Sequence, residues 1–367
     1  MDMSVSSQQQ VVSRADRYPL IVTAPSAETL SGAKPPILNY EGRKVIITGG
    51  LGFIGSNLAR SLVEVGARVT LVDSLIPEYG GNLANIADLG QSVTVNVCDV
   101  RDPYAMKHLL RDTDFVFNLA GQTSHLDSMT DPQTDLAINT GAQISLLESC
   151  RQVAPECKIV FASTRQIYGK PQYLPVDEKH PIHPVDANGI NKWAGESYHR
   201  LYAEVYGLNT TVLRLTNTYG PGMRVKDARQ TFLGIWIRHA LEGQPFLVFG
   251  DGNQLRDFNF VDDVVDALLR AGSQEKATGK IYNLGGEEVV SLNELANLLT
   301  EIVPESSFAL QPFPQDRASI DIGDYYGSIS AIKEELGWEP KVPLSVGLRK
   351  TVDYYREHHE HYWEAAE

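Results

Sequence analysis

The chain has few cysteines, fewer basic than acidic residues, and no long apolar runs. Its three cysteines among 367 residues, Cys98, Cys150 and Cys157, are odd in number and share no metal-ligand spacing. That argues against a disulfide scaffold and a cysteine-based zinc module, and a reduced, cytoplasmic protein is the expectation. No apolar stretch approaches the roughly 20 residues that a membrane-spanning helix needs, so no membrane partner is expected. Lys and Arg number 32 against 46 Asp and Glu, a formal net charge of −14. Such a chain lacks the basic footprint that holds nucleic acid or an anionic membrane surface. An anionic ligand must therefore be met by cations concentrated locally. Met1-Asp2-Met3 offers neither the basic start nor the apolar core of a secretory signal, and Asp2, Asp16 and Glu28 argue against an organelle transit peptide.

Residues 1–42 are set apart by Ser4, Ser6, Ser7, the run Gln8 to Gln10, and Pro35-Pro36. They read as an N-terminal extension, either disordered or draped over the body. From Lys44 onward, short β-branched runs alternate with helical periodicity. Val45 to Ile47, Val69 to Val72, Val93 to Val97, Phe115 to Phe117 and Ile159 to Phe161 read as strands. Asn57 to Val65 reads as a helix, and so does a long stretch from about Asp135 to Arg151. This alternation predicts an α/β fold, a doubly wound parallel sheet with helices on both faces. After Thr211 to Leu213 the pattern loosens, and helices are expected at Leu292 to Val303 and Leu344 to His358. A smaller C-terminal α/β substrate lobe is expected there. The boundaries are 43–216 plus 259–283 for the first domain and 217–258 plus 284–367 for the second.

The strongest motif is Thr48-Gly49-Gly50-Leu51-Gly52-Phe53-Ile54-Gly55, placed between a strand and a helix. Glycines let the backbone turn tightly and approach a pyrophosphate, whose charge is met by the helix N-terminus. Asp73 ends the next strand, where a carboxylate accepts from a ribose diol and repels a 2′-phosphate. That favours NAD over NADP. Asp99, with Val100 after it, can meet an adenine amino group or cap the helix that starts near Asp102. The small residues of Asn118-Leu119-Ala120-Gly121 let backbone lie against a cofactor. His358, His359 and His361 beside Glu360 draw in no further ligand, and no metal is expected.

With these landmarks the sequence resembles the extended short-chain dehydrogenase/reductase family, in its NAD-dependent nucleotide-sugar epimerase/dehydratase branch. The likeness runs from about Lys44 to Tyr355. It includes Ser163-Thr164-x-x-Ile167-Tyr168-Gly169, Arg214-x-x-Asn217-x-Tyr219-Gly220-Pro221, Gly250 to Phe258, Tyr282 to Gly285, and Leu336-Gly337-Trp338-x-Pro340. The resemblance implies a Rossmann domain, bound NAD, and transient oxidation of a nucleotide-linked sugar. It implies Gly49, Gly52, Phe53, Ile54, Gly55, Asp73, Asp99, Val100, Leu119, Ala120, Gly121, Lys192, Leu215 and Thr216 on the cofactor. On the substrate side it implies Ser124, Gln166, Asn217, Thr231, Leu247, Phe249, Asp321, and Arg256 as a pyrophosphate clamp. A homodimer through helices near 135–151 and 187–206 is also implied.

In that family a tyrosine four residues before a lysine takes a sugar hydroxyl's proton, and an upstream Ser/Thr holds the same oxygen. A phenol of pKa about 10 does this only beside positive charge. Here Lys192 and Thr164 match, but the tyrosine position is Asn188, which does not titrate usefully. Three readings stand. Lys192, Tyr168 or His125 removes the proton; Asn188 orients the sugar in altered chemistry; or the pocket is kept without turnover. Members that eliminate water carry an acidic pair where Arg165-Gln166 stands, which leaves an NDP-hexose 4-epimerase ahead of a dehydratase or decarboxylase. A noncatalytic NAD- and nucleotide-sugar-binding protein is the alternative from another class.

Overall fold

Strand and helix alternate from Lys44 because β-branched runs end in glycines, polar caps or prolines. In the computed structural model, residues 39–227, 231–314 and 320–363 are described. The first elements are β1 (Lys44–Thr48), α1 (Phe53–Glu64), β2 (Arg68–Asp73), β3 (Val93–Val97), α2 (Pro103–Leu109) and β4 (Phe115–Asn118). Then come α3 (His125–Thr130), α4 (Pro132–Leu136), α5 (Ala142–Val153), β5 (Lys158–Thr164), α6 (Ala187–Tyr206), β6 (Asn209–Leu215) and β7 (Asn217–Tyr219). The remainder includes α7 (Phe232–Leu241), β8 (Phe246–Phe249), β9 (Leu255–Phe260), α8 (Val261–Ser273), β10 (Ile281–Asn283), β11 (Val289–Ser291), α9 (Leu292–Ile302) and β12 (Phe308–Gln311). Helices Ser330–Leu336 and Leu344–His358 close the described chain.

Seven strands form a parallel sheet in the order β10-β6-β5-β4-β1-β2-β3. The α/β doubly wound fold expected from sequence is therefore present. Its order reverses between β1 and β4, and the crevice beyond their C-terminal ends is where such sheets bind ligands. Two small sheets, β11-β9-β7 and β12-β8, form the C-terminal part. Strand β10 returns from that part to extend the large sheet beside β6.

The core follows from the periodicity. Val45, Ile47, Leu71, Phe117 and Val160 from the large sheet share one buried cluster with Leu58, Val264, Leu268, Trp338 and Tyr355. A second cluster lies on the opposite face, where Ile46, Val116 and Ile159 meet Leu146, Leu147 and Tyr202. Of the segment read as an extension, residues 1–38 lie outside the described residues. Tyr40 is fully buried, and its hydroxyl donates to the Leu269 carbonyl at 2.8 Å. The long helix read from about Asp135 to Arg151 begins earlier, at Pro132, and is interrupted. A π-helical turn, Ala137–Gly141, joins α4 to α5. Such a turn widens the backbone by one residue and often marks a functional site.

Candidate active site

The glycine loop is held at the switch point by Thr48, the last residue of β1. Its hydroxyl donates to Asn118 Oδ1 at 2.9 Å and accepts from the Leu119 and Ala120 N–H groups, both at 3.1 Å. Gly49 sits at φ +67°, and a Cβ there would come within 3.0 Å of the Ala120 nitrogen. A Cβ on Gly55 would lie 2.3 Å from the Gly49 carbonyl oxygen, so the loop closes only with glycine at that position. Helix α1 starts without a side-chain cap and without an acid in its first turn. Uncapped N–H groups and a positive dipole end suit a pyrophosphate.

A cleft of about 280 Å³, open to solvent, extends from this loop. Gly49, Gly52, Phe53, Ile54, Gly55, Asp73, Asp99, Val100, Leu119, Ala120, Gly121, Leu215 and Thr216 all line it, together with Lys192. Asp73 accepts from the Leu51 N–H at 3.1 Å and the Leu75 N–H at 3.0 Å, bracing the loop. Burial raises its pKa, and those backbone donors oppose the rise. Asp99 is paired with Arg101 at 2.6 Å, which holds its carboxyl below the usual range. The cap of α2 is supplied instead by Asp102, whose side chain accepts from Tyr104 and Ala105. These features fit a dinucleotide with an unphosphorylated ribose.

At the other end of the cleft, Thr164, Asn188 and Lys192 come together. Thr164 caps the turn Arg165–Tyr168 by accepting from the Gln166 N–H at 3.2 Å, which leaves its own O–H for a ligand. Lys192 is buried, with its Nζ 3.3 Å from the Ala162 carbonyl and 5.2 Å from the Phe161 ring centre. Burial lowers its pKa to about 8, against a smaller opposing effect of Asp135. A Cβ on Gly121 would meet that Nζ at 2.7 Å. The backbone beside the ammonium is thus kept clear.

Asn188 is 2 % exposed. Its amide nitrogen donates to the Gln122 carbonyl at 2.8 Å and to Asp135 Oδ2 at 3.1 Å, and Asn191 donates to the other Asp135 oxygen at 2.8 Å. Both N–H bonds of Asn188 point into the protein, so its amide oxygen is the atom left for the cleft. Asn139, in the π turn, donates to the Gln122 carbonyl, and its own oxygen is buried without a hydrogen-bond partner. Tyr168 lies outside the cleft lining. Its hydroxyl donates to Asn283 at 2.7 Å and accepts from Arg214 at 2.6 Å, and burial pushes its pKa up to about 12. His125 lines the cleft with its Nδ1 2.9 Å from Asp186.

On the substrate side, Gln166, Asn217 and Thr231 line the cleft. Asn217 is held by Asp257, whose carbonyl accepts from its amide at 2.9 Å, and its own oxygen accepts from Arg165 at 3.2 Å. Arg165 also lines the cleft, its guanidinium 5.0 Å over the Tyr325 ring, with no carboxylate in ion-pair reach among the described residues. Burial lowers its pKa. Ser124, Leu247, Phe249, Arg256 and Asp321 are not among the lining residues. Ser124 caps α3 by accepting from the Asp127 N–H. Leu247 is exposed on β8, whose alternation points Phe246 and Val248 inward. Phe249 packs against Phe313 at 6.0 Å between ring centres. Arg256 is buried and donates to the Gly323 and Leu255 carbonyls, its pKa lowered to about 10 by burial and then by Arg165. Asp321 accepts from Gln254 and from the Gly323 N–H. Gln122, Asp135, Asn139 and Asp186 escaped sequence reasoning. Only Asp186 carried a signal, an acid at an N-cap position just after Pro184.

A doubly wound sheet, an uncapped glycine-loop helix and a buried lysine facing the same crevice define a dinucleotide-dependent enzyme class. Residues 45–285 match the model of the NAD dependent epimerase/dehydratase family. A putative UDP-glucose 4-epimerase of Methanocaldococcus jannaschii is 34% identical over 316 residues, covering 85% of this chain and 98% of that protein. UDP-glucuronic acid decarboxylase 1 of Xenopus tropicalis is 30% identical, covering 98% of this chain and 86% of the relative. Among solved structures, a UDP-glucose 4-epimerase of Thermotoga maritima with UDP-glucose superposes with a TM-score of 0.79 at 33% identity, covering 86% of this chain and 99% of that one. The chain belongs to the NAD-dependent epimerase/dehydratase family, in the extended short-chain dehydrogenase/reductase branch that its motifs resemble.

Proposed function

We propose that this protein is an NAD-dependent nucleotide-sugar epimerase that transiently oxidises an NDP-hexose, in the manner of a 4-epimerase. The observation that carries the reading is the convergence of Thr164, Asn188 and Lys192 at the end of a cleft whose far end is the glycine loop. NAD bound there supplies reversible hydride acceptance. Lys192 holds a nicotinamide ribose and raises the local positive potential. Thr164 donates to the reacting oxygen, and Asn188 holds a sugar hydroxyl through its amide oxygen. Arg165, with Arg256 behind it, supplies the local positive charge that an acidic chain must place against a diphosphate.

Arg165, with no carboxylate in ion-pair reach among the described residues, favours one second reading, decarboxylation of a hexuronic acid whose carboxylate it would meet. Incubation with UDP-, dTDP-, GDP- and CDP-sugars in deuterated water, followed by NMR and mass spectrometry, separates these outcomes. A 4-epimerase that returns its own hydride gives inverted product without deuterium. Enolising chemistry leaves deuterium on carbon, and decarboxylation removes the mass of carbon dioxide. Sugars that bind and stay unchanged would leave only a binding protein. We also infer a homodimer, from the apolar residues that α6 leaves exposed.

A further inference from the structure

Oxidising a sugar alcohol requires a group that accepts the hydroxyl proton, and an amide at position 188 has no such capacity. Tyr168 is turned away from the cleft and engaged by Asn283 and Arg214. Lys192, beside the Ala162 carbonyl and the Phe161 ring face where Gly121 keeps the backbone clear, is assigned to the nicotinamide ribose in the reading above. His125 remains. It is the first residue of α3, it lines the cleft, and its side chain is 33% exposed.

The ring is held on one side by a buried carboxylate. Asp186 Oδ2 lies 2.9 Å from His125 Nδ1, with the Asp186 side chain 1% exposed. The other oxygen of Asp186 accepts the Gly189 N–H at 2.6 Å as the N-cap of α6. Burial acts to raise the Asp186 pKa, but contact with His125, the Gly189 N–H and the nearby Arg165 charge together hold the carboxyl below its usual range. An Nδ1–H directed at this carboxylate leaves Nε2 as the acceptor nitrogen, and the Gln166 amide nitrogen lies 3.0 Å from Nε2. The ring is also tied to position 188 through the backbone. The Ser128 hydroxyl donates to the His125 carbonyl at 2.7 Å and accepts the Asn188 N–H at 3.2 Å. A histidine–aspartate pair is thus assembled beside the residue that stands in the phenol position. The Gln166 amide nitrogen also lies 3.0 Å from Nδ1 and 3.5 Å from Asp186 Oδ2, so the Gln166 side chain must turn from the ring for a sugar hydroxyl to reach Nε2.

We propose that His125, oriented by Asp186, is the proton acceptor and donor for the sugar hydroxyl held at Asn188. The proposal rests on the transient-oxidation reading above. The hydroxyl O–H bond breaks and its proton goes to His125 Nε2. The adjacent C–H bond breaks, and its electron pair leaves as hydride to the oxidised nicotinamide dinucleotide, giving a ketone and an imidazolium that donates to Asp186. In the return step the imidazolium gives the proton back to the alkoxide oxygen as hydride re-adds to the carbon. Oxidation and reduction balance within one turnover.

The test uses the full chain as purified, with its nucleotide. His125→Gln and His125→Ala should lower kcat by about 10²–10⁴-fold while sugar-nucleotide KM and bound NAD stay within about threefold, a range set as the criterion. Imidazole added to His125→Ala should restore part of the rate, which a structural histidine would not allow. Asp186→Asn keeps the helix cap and should give a smaller loss in kcat. Nitrogen-15 spectra should show a wild-type His125 ring protonated at Nδ1, and its Nε2 signal should shift on addition of UDP-glucose or UDP-glucuronic acid. A His125→Gln rate within threefold of wild type overturns the proposal. If wild type converts no sugar, the proposed function fails by itself. The spectra then decide, because an Nε2 signal unmoved by a sugar nucleotide shown to bind overturns the dyad, and a shifted one supports it.

Discussion

Asn188 places an amide where the family that the chain resembles has a titratable phenol. Its two N–H bonds serve Gln122 and Asp135, and Asp135 is a fully buried carboxylate. Asn188→Ala should therefore cost about 1–3 kcal/mol in urea unfolding, since a buried acceptor loses its donor. Asn188→Tyr should change the rate or the product in the same NMR assay, because the substitution places a phenol beside Lys192. An unchanged profile would show that this residue does not face the reacting carbon. Lys192 carries the opposite tension. Its pKa falls from 10.5 to about 8 through burial, so between those values the folded protein binds fewer protons than the unfolded chain. Stability from this group must then rise with pH across that window. Lys192→Met should be more stable than the unliganded wild type near pH 7 by on the order of 2–3 kcal/mol. Its advantage should shrink from pH 8 toward 10.5 in denaturant titrations, while retained NAD falls. A gap that stays flat with pH would show that the ammonium carries no burial penalty.

At the scale of elements, the β1–loop–α1 unit shows why part of the site could be read directly. Its requirement is local, since consecutive glycines must clear Gly49, Ala120 and a pyrophosphate, and only glycine leaves room. Gly55→Ala should abolish NAD retention and lower the melting temperature by several degrees, because its Cβ would sit 2.3 Å from the Gly49 oxygen. Copurified NAD measured by absorbance after denaturation, alongside a thermal scan, checks both; a variant that keeps its NAD would show that the loop does not meet the diphosphate. The π turn at Ala137–Gly141 was not legible, because one added backbone residue leaves the apolar spacing of the long helix almost unchanged. The far wall was harder still. Whether Leu247 faces inward or out depends on a one-residue pleat phase set by pairing of β8 with β12, a partner distant in sequence. The His125–Asp186 pair likewise joins residues from two helices whose approach is a tertiary fact.

In the whole molecule the two parts of the chain share one core, yet α6 keeps apolar residues outside it. Ile190, Trp193, Leu201 and Val205 lie on one stripe of that helix, all exposed, and Leu136 and Met129 are exposed on the neighbouring α4 and α3. Residues at helical spacing on one face of a long helix form a continuous strip. The opposite side of α6 carries Asn188 and Lys192 into the cleft, so a second copy packed on the strip would brace the active-site helix from behind. A stable homodimer buries about 1,200–2,000 Å² in total, and a central tryptophan is the residue type that most often dominates such energy. Light scattering behind size exclusion should therefore give twice the 40.5 kDa chain mass. The pair Trp193→Glu and Val205→Arg should give the chain mass alone, with the far-ultraviolet spectrum preserved. If α6 is steadied by its twin, that monomer should also lose turnover more than NAD binding, since the loop and Asp73 lie on other elements. A wild-type monomer at micromolar concentration would remove the strip from any role in assembly.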